Sequence, residues 1–186
     1  MKYPDISCII LAGGKGQRMG GIDKGLIPFK GKRLIEHAIE HIKPQVDDIV
    51  ISANRNLDQY EALGYAVHTD QSENYEGPLA GIAGALPYCK HDRVMIIPCD
   101  MPSLPENLVA SMAPATTSAR LVVISTNAKT QLVFLLHRSL LDSINRYLAR
   151  KQHSVMQWVD SVDHRTIEMA IDNHFLNINT PEQLDK

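Results

Sequence analysis

Three cysteines in 186 residues, Cys8, Cys89 and Cys99, are too few and too widely spaced for a disulfide framework. No C-x-x-C pair suggests a zinc site either. Long apolar runs are missing as well, which excludes a membrane-spanning helix. The apolar stretch 6–12 leads straight into a charged glycine loop without a cleavage-like flank, so it is no signal segment and a cytoplasmic protein is expected. Nor does either charge dominate. A net charge of -2 gives no general attraction to nucleic acid. H-E-x-x-H is absent, so His37 and His41, one helical turn apart, are read as surface residues. There is no internal repeat, low-complexity tract or proline-rich linker, and 186 residues are enough for one α/β domain but too few for two.

What the chain does contain is a glycine-rich, basic loop directly after its first apolar run. In Leu11-Ala-Gly-Gly-Lys-Gly-Gln-Arg-Met19, glycines 13, 14 and 16 permit backbone conformations closed to other residues and leave N–H groups free to face an anion. Lys15, Arg18, Lys24, Lys30, Lys32 and Arg33 stand against the single acid Asp23 in and just after it. A polyanion, most simply a nucleoside triphosphate, is the expected ligand. Two better-known loops are excluded by residues. No Gly-Lys-Ser/Thr completes a P-loop, and Gly14-x-Gly16-x-x-Met19 has methionine where the dinucleotide fingerprint needs glycine.

Apolar runs at 6–11, 48–53, 66–69, 93–99, 121–125, 132–136 and about 166–171 read as strands. Amphipathic stretches at 33–43, 57–63, 79–90, 105–113 and 139–151 read as helices, and 113–119 as a mobile connection. The alternation predicts a three-layer α/β/α, Rossmann-like domain over 1–186 with a mainly parallel, mixed sheet. Ligands of such sheets lie at the carboxyl ends of strands. Three such ends carry polar residues: Ser52 to Arg55, His68 to Asp70, and Pro98-Cys-Asp100. Ser103-Leu-Pro-Glu106 reads as a capping box, which leaves Asp100 free for a metal; Mg²⁺ takes one or two carboxylates plus phosphate oxygens. Cys99 beside it is read as a small buried side chain.

Taken together, the loop Leu11 to Lys24, Asp70, the turn Gly77-Pro-Leu-Ala-Gly81 and the strand end Pro98-Cys-Asp100 resemble the molybdenum cofactor guanylyltransferases. The opening Leu-Ala-Gly-Gly-x-x-x-Arg-Met is shared by a wider nucleotidyltransferase superfamily, whereas Met19-Gly-Gly-Ile-Asp-Lys24-Gly-Leu is narrower. The closing Asn177-Ile-Asn179-Thr-Pro-Glu-Gln-Leu184 also matches. The resemblance implies that Leu11, Ala12, Gly13 and Gly14 contact a guanine nucleotide through the backbone, Lys24 binds phosphate, Asp70 the nucleoside, and Asp100 both nucleotide and Mg²⁺, for which Mn²⁺ can substitute. Gly77 and Gly81 belong to the same nucleotide site. The chain departs from the family at Ser52, usually asparagine, where Asn54 on the same strand face would stand in, and at Gln131, usually proline.

The implied reaction joins the terminal phosphate of molybdopterin to the α-phosphorus of GTP and expels pyrophosphate. Arg18 and Lys24 would stabilise the phosphates with Asp100-bound metal. Asn177 and Asn179, two apart in an extended segment, face one way and are assigned to the acceptor phosphate or metal surroundings. The N-terminal part would then bind GTP and metal, and the C-terminal part the acceptor. Arg146, Arg150, Lys151 and His153 form a second basic group within reach of a pterin phosphate or simply a solvated helix face. Transient contact with proteins that donate and accept the cofactor is implied. Open alternatives are a related enzyme using CTP or another phosphorylated acceptor, and a non-catalytic nucleotide or cofactor carrier.

Overall fold

A computed structural model describes residues 2–13, 22–70, 77–170, 175, 177 and 178. In chain order its strands are β1 (Tyr3–Leu11), β2 (Pro28–Phe29), β3 (Lys32–Arg33), β4 (Val46–Ser52), β5 (Ala66–His68), β6 (Arg93–Pro98), β7 (Leu121–Thr126), β8 (Lys129–His137) and β9 (Arg165–Glu168). Seven of them make one sheet in the order β5-β4-β1-β6-β8-β7-β9. Only β8 runs against its neighbours, β6 and β7; the other pairings are parallel. The mainly parallel, mixed sheet expected from the sequence is therefore present.

The described α-helices are α1 (Leu34–Ile42), α2 (Leu57–Glu61), α3 (Pro78–Ala85), α4 (Leu108–Met112), α5 (Leu141–Ala149) and α6 (Val155–Asp160). Strand periodicity sends alternate residues of β1 into opposite layers. Ile6, Cys8 and Ile10 meet Ile35, Ala38 and Ile42 of α1 and Leu108, Val109 and Met112 of α4. Ile9 and Leu11 meet Leu79 and Ile82 of α3, Ile144 of α5 and Trp158 of α6. Both faces of the sheet are thus covered, which is why its inner strands are continuous apolar runs.

Several expectations change in detail. Residues 113–119 are no mobile connection: Ala113–Thr117 is a 3-10 helix with Ala113 and Ala115 buried. Ser103 does not cap a helix, because α4 begins only at Leu108. Pro102 and Pro105 bias the residues before them away from helical backbone. The N–H of Val109 is satisfied from a distance instead, by buried Gln45 Oε1 at 3.0 Å. The 79–90 helix stops at Ala85 and passes into a 3-10 turn containing Pro87. The hairpin β2–β3 was not anticipated. Its two central residues, Lys30 (φ 46) and Gly31 (φ 83), both take positive φ, as a type I′ turn requires.

Helix α3 lies unusually close to the sheet. A Cβ on Gly81 would stand 2.7 Å from Ser52 Oγ, and one on Gly84 2.6 Å from the Thr69 carbonyl oxygen. Alanine is intrinsically better than glycine in a helix by about 1 kcal/mol. At Gly84 the backbone clash should outweigh that gain, so Gly84→Ala is expected to destabilise the protein by about 1–3 kcal/mol. Thermal unfolding followed by circular dichroism checks this, and a raised melting temperature would contradict the close approach.

Candidate active site at the carboxyl ends of β1, β4 and β6

The order β4-β1-β6 means that the chain leaves β1 toward one side of the sheet and later returns to its other side. The resulting crevice lies at the carboxyl end of β1. Leu11 pairs with Ser52 on one side and Pro98 on the other. One rung further, Ala12 N–H donates to Ser52 O at 2.8 Å, and Cys99 N–H donates to Leu11 O at 3.0 Å. Leu11, Ala12 and Gly13 therefore sit between the ends of β4 and β6, with Asp100 one residue beyond the second of these bonds.

Lys24 heads a short 3-10 helix, Lys24–Leu26, that follows the loop. Its Nζ donates to Asp100 Oδ2 at 3.0 Å, with the two side chains 25% and 18% exposed. The structure thus brings together two of the three residues from which the sequence reading expected catalysis. Their charges offset each other in a partly solvated crevice. Arg18, the third residue of that set, and Gly14 lie outside the described residues.

Asp70 and Asn54 form a second pair. Asn54 Nδ2 donates to Asp70 Oδ2 at 2.6 Å, and Asp70 N–H donates to Asn54 Oδ1 at 2.9 Å. Asn54 is not on the strand, as expected from sequence, but beyond it, since β4 ends at Ser52. It is the loop that turns Asn54 toward Asp70. Gly13 is close by: a Cβ there would lie 3.7 Å from Asn54 Nδ2. Below this pair the His68 ring stacks on Tyr88, centroids 3.7 Å apart and planes 8° from parallel. Burial holds the His68 imidazole below its ordinary pKa.

Ser52 is placed differently from the expectation of a nucleotide contact. It is 3% exposed, and its hydroxyl donates to Gly81 O at 3.2 Å, so it ties α3 to β4 behind the crevice. Gly81 is required by that same approach, and Gly77 (φ 90) by backbone conformation at the start of α3. Asn177 is brought to the site by the backbone, because the next residue, Ile178, donates its N–H to Asp100 O at 2.9 Å. The Asn177 Oδ1 atom is buried and has no hydrogen-bond partner among the described residues. Asn179 lies outside them. The basic group near 146–153 borders α5 and α6, where Ser143, Arg146, Tyr147, Arg150, Gln157 and Ser161 line a groove of about 520 Å³.

His37 is not a simple surface residue. It is half-buried, with Nε2 2.8 Å from Phe29 O. No group of three or more His, Cys, Asp or Glu suited to a metal occurs among the described residues, and no described helix is long and apolar enough to cross a membrane. Sequence reasoning missed the side chains that hold the Lys24 segment: buried Asp23 accepts from Tyr60 Oη at 2.7 Å and from Asn56 Nδ2 at 2.9 Å. The one signal was a lone acid amid six bases. It also missed α6, although Ser154-x-x-Gln157 carries the pattern of an N-terminal cap, and Ser154 Oγ does accept from Gln157 N–H.

Residues 8–166 match the MobA-like NTP transferase domain family. A protein of Shewanella sp. strain MR-4 named molybdenum cofactor guanylyltransferase is 42% identical over 184 residues, covering 96% of this chain and 92% of that protein. One of the same name from Shewanella woodyi is 43% identical over 183 residues, covering 96% and 93%. A solved structure titled molybdopterin-guanine dinucleotide biosynthesis protein A, from Archaeoglobus fulgidus, has a TM-score of 0.75 at 20% identity, covers 96% of this chain and 95% of its own, and shares the fold.

Cys99, despite its place beside Asp100, is built as packing. Burial first, and then the Asp100 and Asp23 carboxylates, push its thiol well above the ordinary value; Cys8 is raised likewise by burial and Cys89 to about 12. All three thiols are free and buried. A thiol-reactive chromogen should therefore label none of them in the folded protein and three after denaturation. Rapid labelling of native Cys99 would contradict this.

Proposed function

The chain belongs to the molybdenum cofactor guanylyltransferase family, built on the MobA-like NTP transferase domain, and we propose that it transfers GMP from GTP to molybdopterin, releasing pyrophosphate. The observation that carries this reading is the Lys24–Asp100 pair at the carboxyl end of the central strands, within a nucleotidyltransferase fold. We assign residues 1–186 to one such domain, its N-terminal part taking GTP and metal and its C-terminal part the acceptor.

The attacking phosphate oxygen is already ionised, so no residue need act as general base. The barrier is electrostatic: an anion approaches an anion, and charge grows on the departing pyrophosphate. Lys24, fixed at the crevice rim, offers a compact positive charge to the phosphates, and Arg18 a planar, two-pronged one. We assign backbone contacts with the nucleotide to Leu11, Ala12, Gly13 and Gly14. Asp70, held by Asn54, would accept from donors of the nucleoside, whether the ribose hydroxyls or guanine N1–H and N2–H₂. Ser52, Gly77 and Gly81 support that site from behind.

The donor set fits Mg²⁺, with Mn²⁺ as a substitute. Asp100 is a hard oxygen donor, Asn177 contributes a buried oxygen with no partner among the described residues, and no cage of three or more carboxylate, histidine or cysteine ligands is described. Asp100 would hold the ion, since Mg²⁺ typically takes one or two carboxylates together with phosphate oxygens. When bound, it supplies neutralisation of phosphate charge and alignment of the transferred group. We assign Asn177 and Asn179 to the acceptor phosphate or the metal surroundings. We further place the protein in the cytoplasm, in transient contact with proteins that supply molybdopterin and take up the dinucleotide.

Purified protein with molybdopterin, GTP and Mg²⁺ is expected to yield pyrophosphate and the guanine dinucleotide, with CTP, ATP and UTP poor donors. Lys24→Ala and Asp100→Ala should each lower the rate by about 10²–10³ while leaving the melting temperature nearly unchanged. Preference for CTP would shift the assignment to a related transferase. Tight GTP binding without pyrophosphate release would shift it to a carrier.

A further inference from the structure

Lys24 sits on a segment whose own position needs explaining. It follows a glycine-rich loop, belongs to a 3-10 helix of three residues and is one-quarter exposed in its side chain, so little local structure fixes it. The constraint comes from the β4–α2 connection. Tyr60 of α2 is fully buried, and its hydroxyl donates to Asp23 Oδ1 at 2.7 Å. Asn56 Nδ2 donates to Asp23 Oδ2 at 2.9 Å, from a backbone in the left-handed region (φ 51). Arg55 pairs with the same carboxylate, Nε to Oδ2 at 3.5 Å, while its Nη2 donates to Ile22 O at 2.9 Å. On the other side of Lys24, a Cβ on Gly25 would overlap the Tyr60 hydroxyl. One tyrosine therefore touches both chain neighbours of Lys24.

We propose that Asp23, gripped by Tyr60, Asn56 and Arg55, is a positioning residue that sets where Lys24 presents its charge to the phosphates. This rests on the catalytic role given to Lys24 above and assigns a function to a buried carboxylate that the reaction itself does not use. A carboxylate 7% exposed, with two hydrogen-bond donors and an ion-pair partner, is held far more firmly than a surface ion pair. Burial first, then the neighbouring Cys99 and Asp23, push the Tyr60 phenol above its ordinary value, which keeps it a donor near neutral pH.

The clamp has a second consequence. Asn54, Arg55 and Asn56 are consecutive: Asn54 holds Asp70 on the nucleoside side, and the next two hold Asp23 on the phosphate side. One three-residue segment thus spaces nucleoside recognition from phosphate recognition.

Tyr60→Phe removes one oxygen and keeps the packing, which makes it the cleaner probe; Asp23→Asn is the second. Displacing a catalytic group by about 1 Å costs up to about 10² in rate. Tyr60→Phe should therefore lower kcat/KM for GTP by about tenfold and Asp23→Asn by about 10²-fold, with melting measured alongside. The decisive measurement repeats both substitutions in Lys24→Ala. Residues acting through Lys24 should cost less than about twofold there, because the group they position is already gone. Losses that multiply unchanged in the Lys24→Ala background would overturn the clamp and leave the role of Lys24 intact. Full activity of Lys24→Ala alone would instead overturn the catalytic reading, and the clamp with it.

Discussion

The backbone bonds at the end of β1 govern the site. Leu11 O accepts from Cys99 N–H and Ala12 N–H donates to Ser52 O, so the last rungs on either side of the strand close within one residue of each other. Beyond them β4 and β6 have no common neighbour and their chains diverge, which opens the crevice that holds a ligand. Asp100 stands one residue past one rung, and Asn54 two residues past the other. A register slip by one residue would turn Asp100 and every core residue of β6 to the opposite face, forcing Met95 and Ile97 out of the layer of α1 and α4 and into that of α3 and α5. The apolar pattern of the strands thereby fixes the spacing of polar groups that contribute nothing to the core.

The second constraint is how closely α3 lies on the sheet. Gly81 admits the Ser52 hydroxyl and Gly84 the Thr69 backbone, so a helix with almost no polar face lies flush across β4 and the end of β5. Thr69 leads directly to Asp70. The position of Asp70 therefore follows in part from two glycines eleven and fourteen residues later, an instance of close packing transmitting geometry.

How much of this was legible in the sequence depended on the range of the interaction. The inner strands of the sheet were visible because burial on both faces demands unbroken apolar runs, Asp100 because it stands where such a run ends, and Lys24 because of the basic glycine loop and the family resemblance it carries. What stayed hidden involved partners far apart in the chain. Gln45 caps α4 across 64 residues, so the local signal at Ser103 pointed to a helix start that two prolines defer to Leu108. Tyr60 reaches Asp23 across 37 residues, and as a sequence symbol it reads only as the apolar face of a short helix. Asn54 was placed on a strand because periodicity cannot say where a strand stops; the loop that follows turns it toward Asp70, a pairing that alternation would not supply.

Electrostatics explains why the free site can exist at all. Asp100 alone, four-fifths covered and beside a buried thiol, would be an acid in a poor solvent; Lys24 alone would be a cation held near apolar residues. Paired at 3.0 Å they satisfy each other, yet with about a fifth of each side chain exposed the pair adds little to folding stability. That weakness is useful. A deeply buried pair would resist separation, because parting it leaves an uncompensated charge. In the proposed reaction Lys24 would turn to the polyphosphate and Asp100 would hold the divalent cation, so neither charge would be left stranded when the pair parts. The rigid element is then not the pair but what lies behind it, the buried Asp23 and Tyr60 on one side and the β1–β6 rung on the other. Firm supports behind loosely paired charges let the site exchange ligands without rebuilding itself.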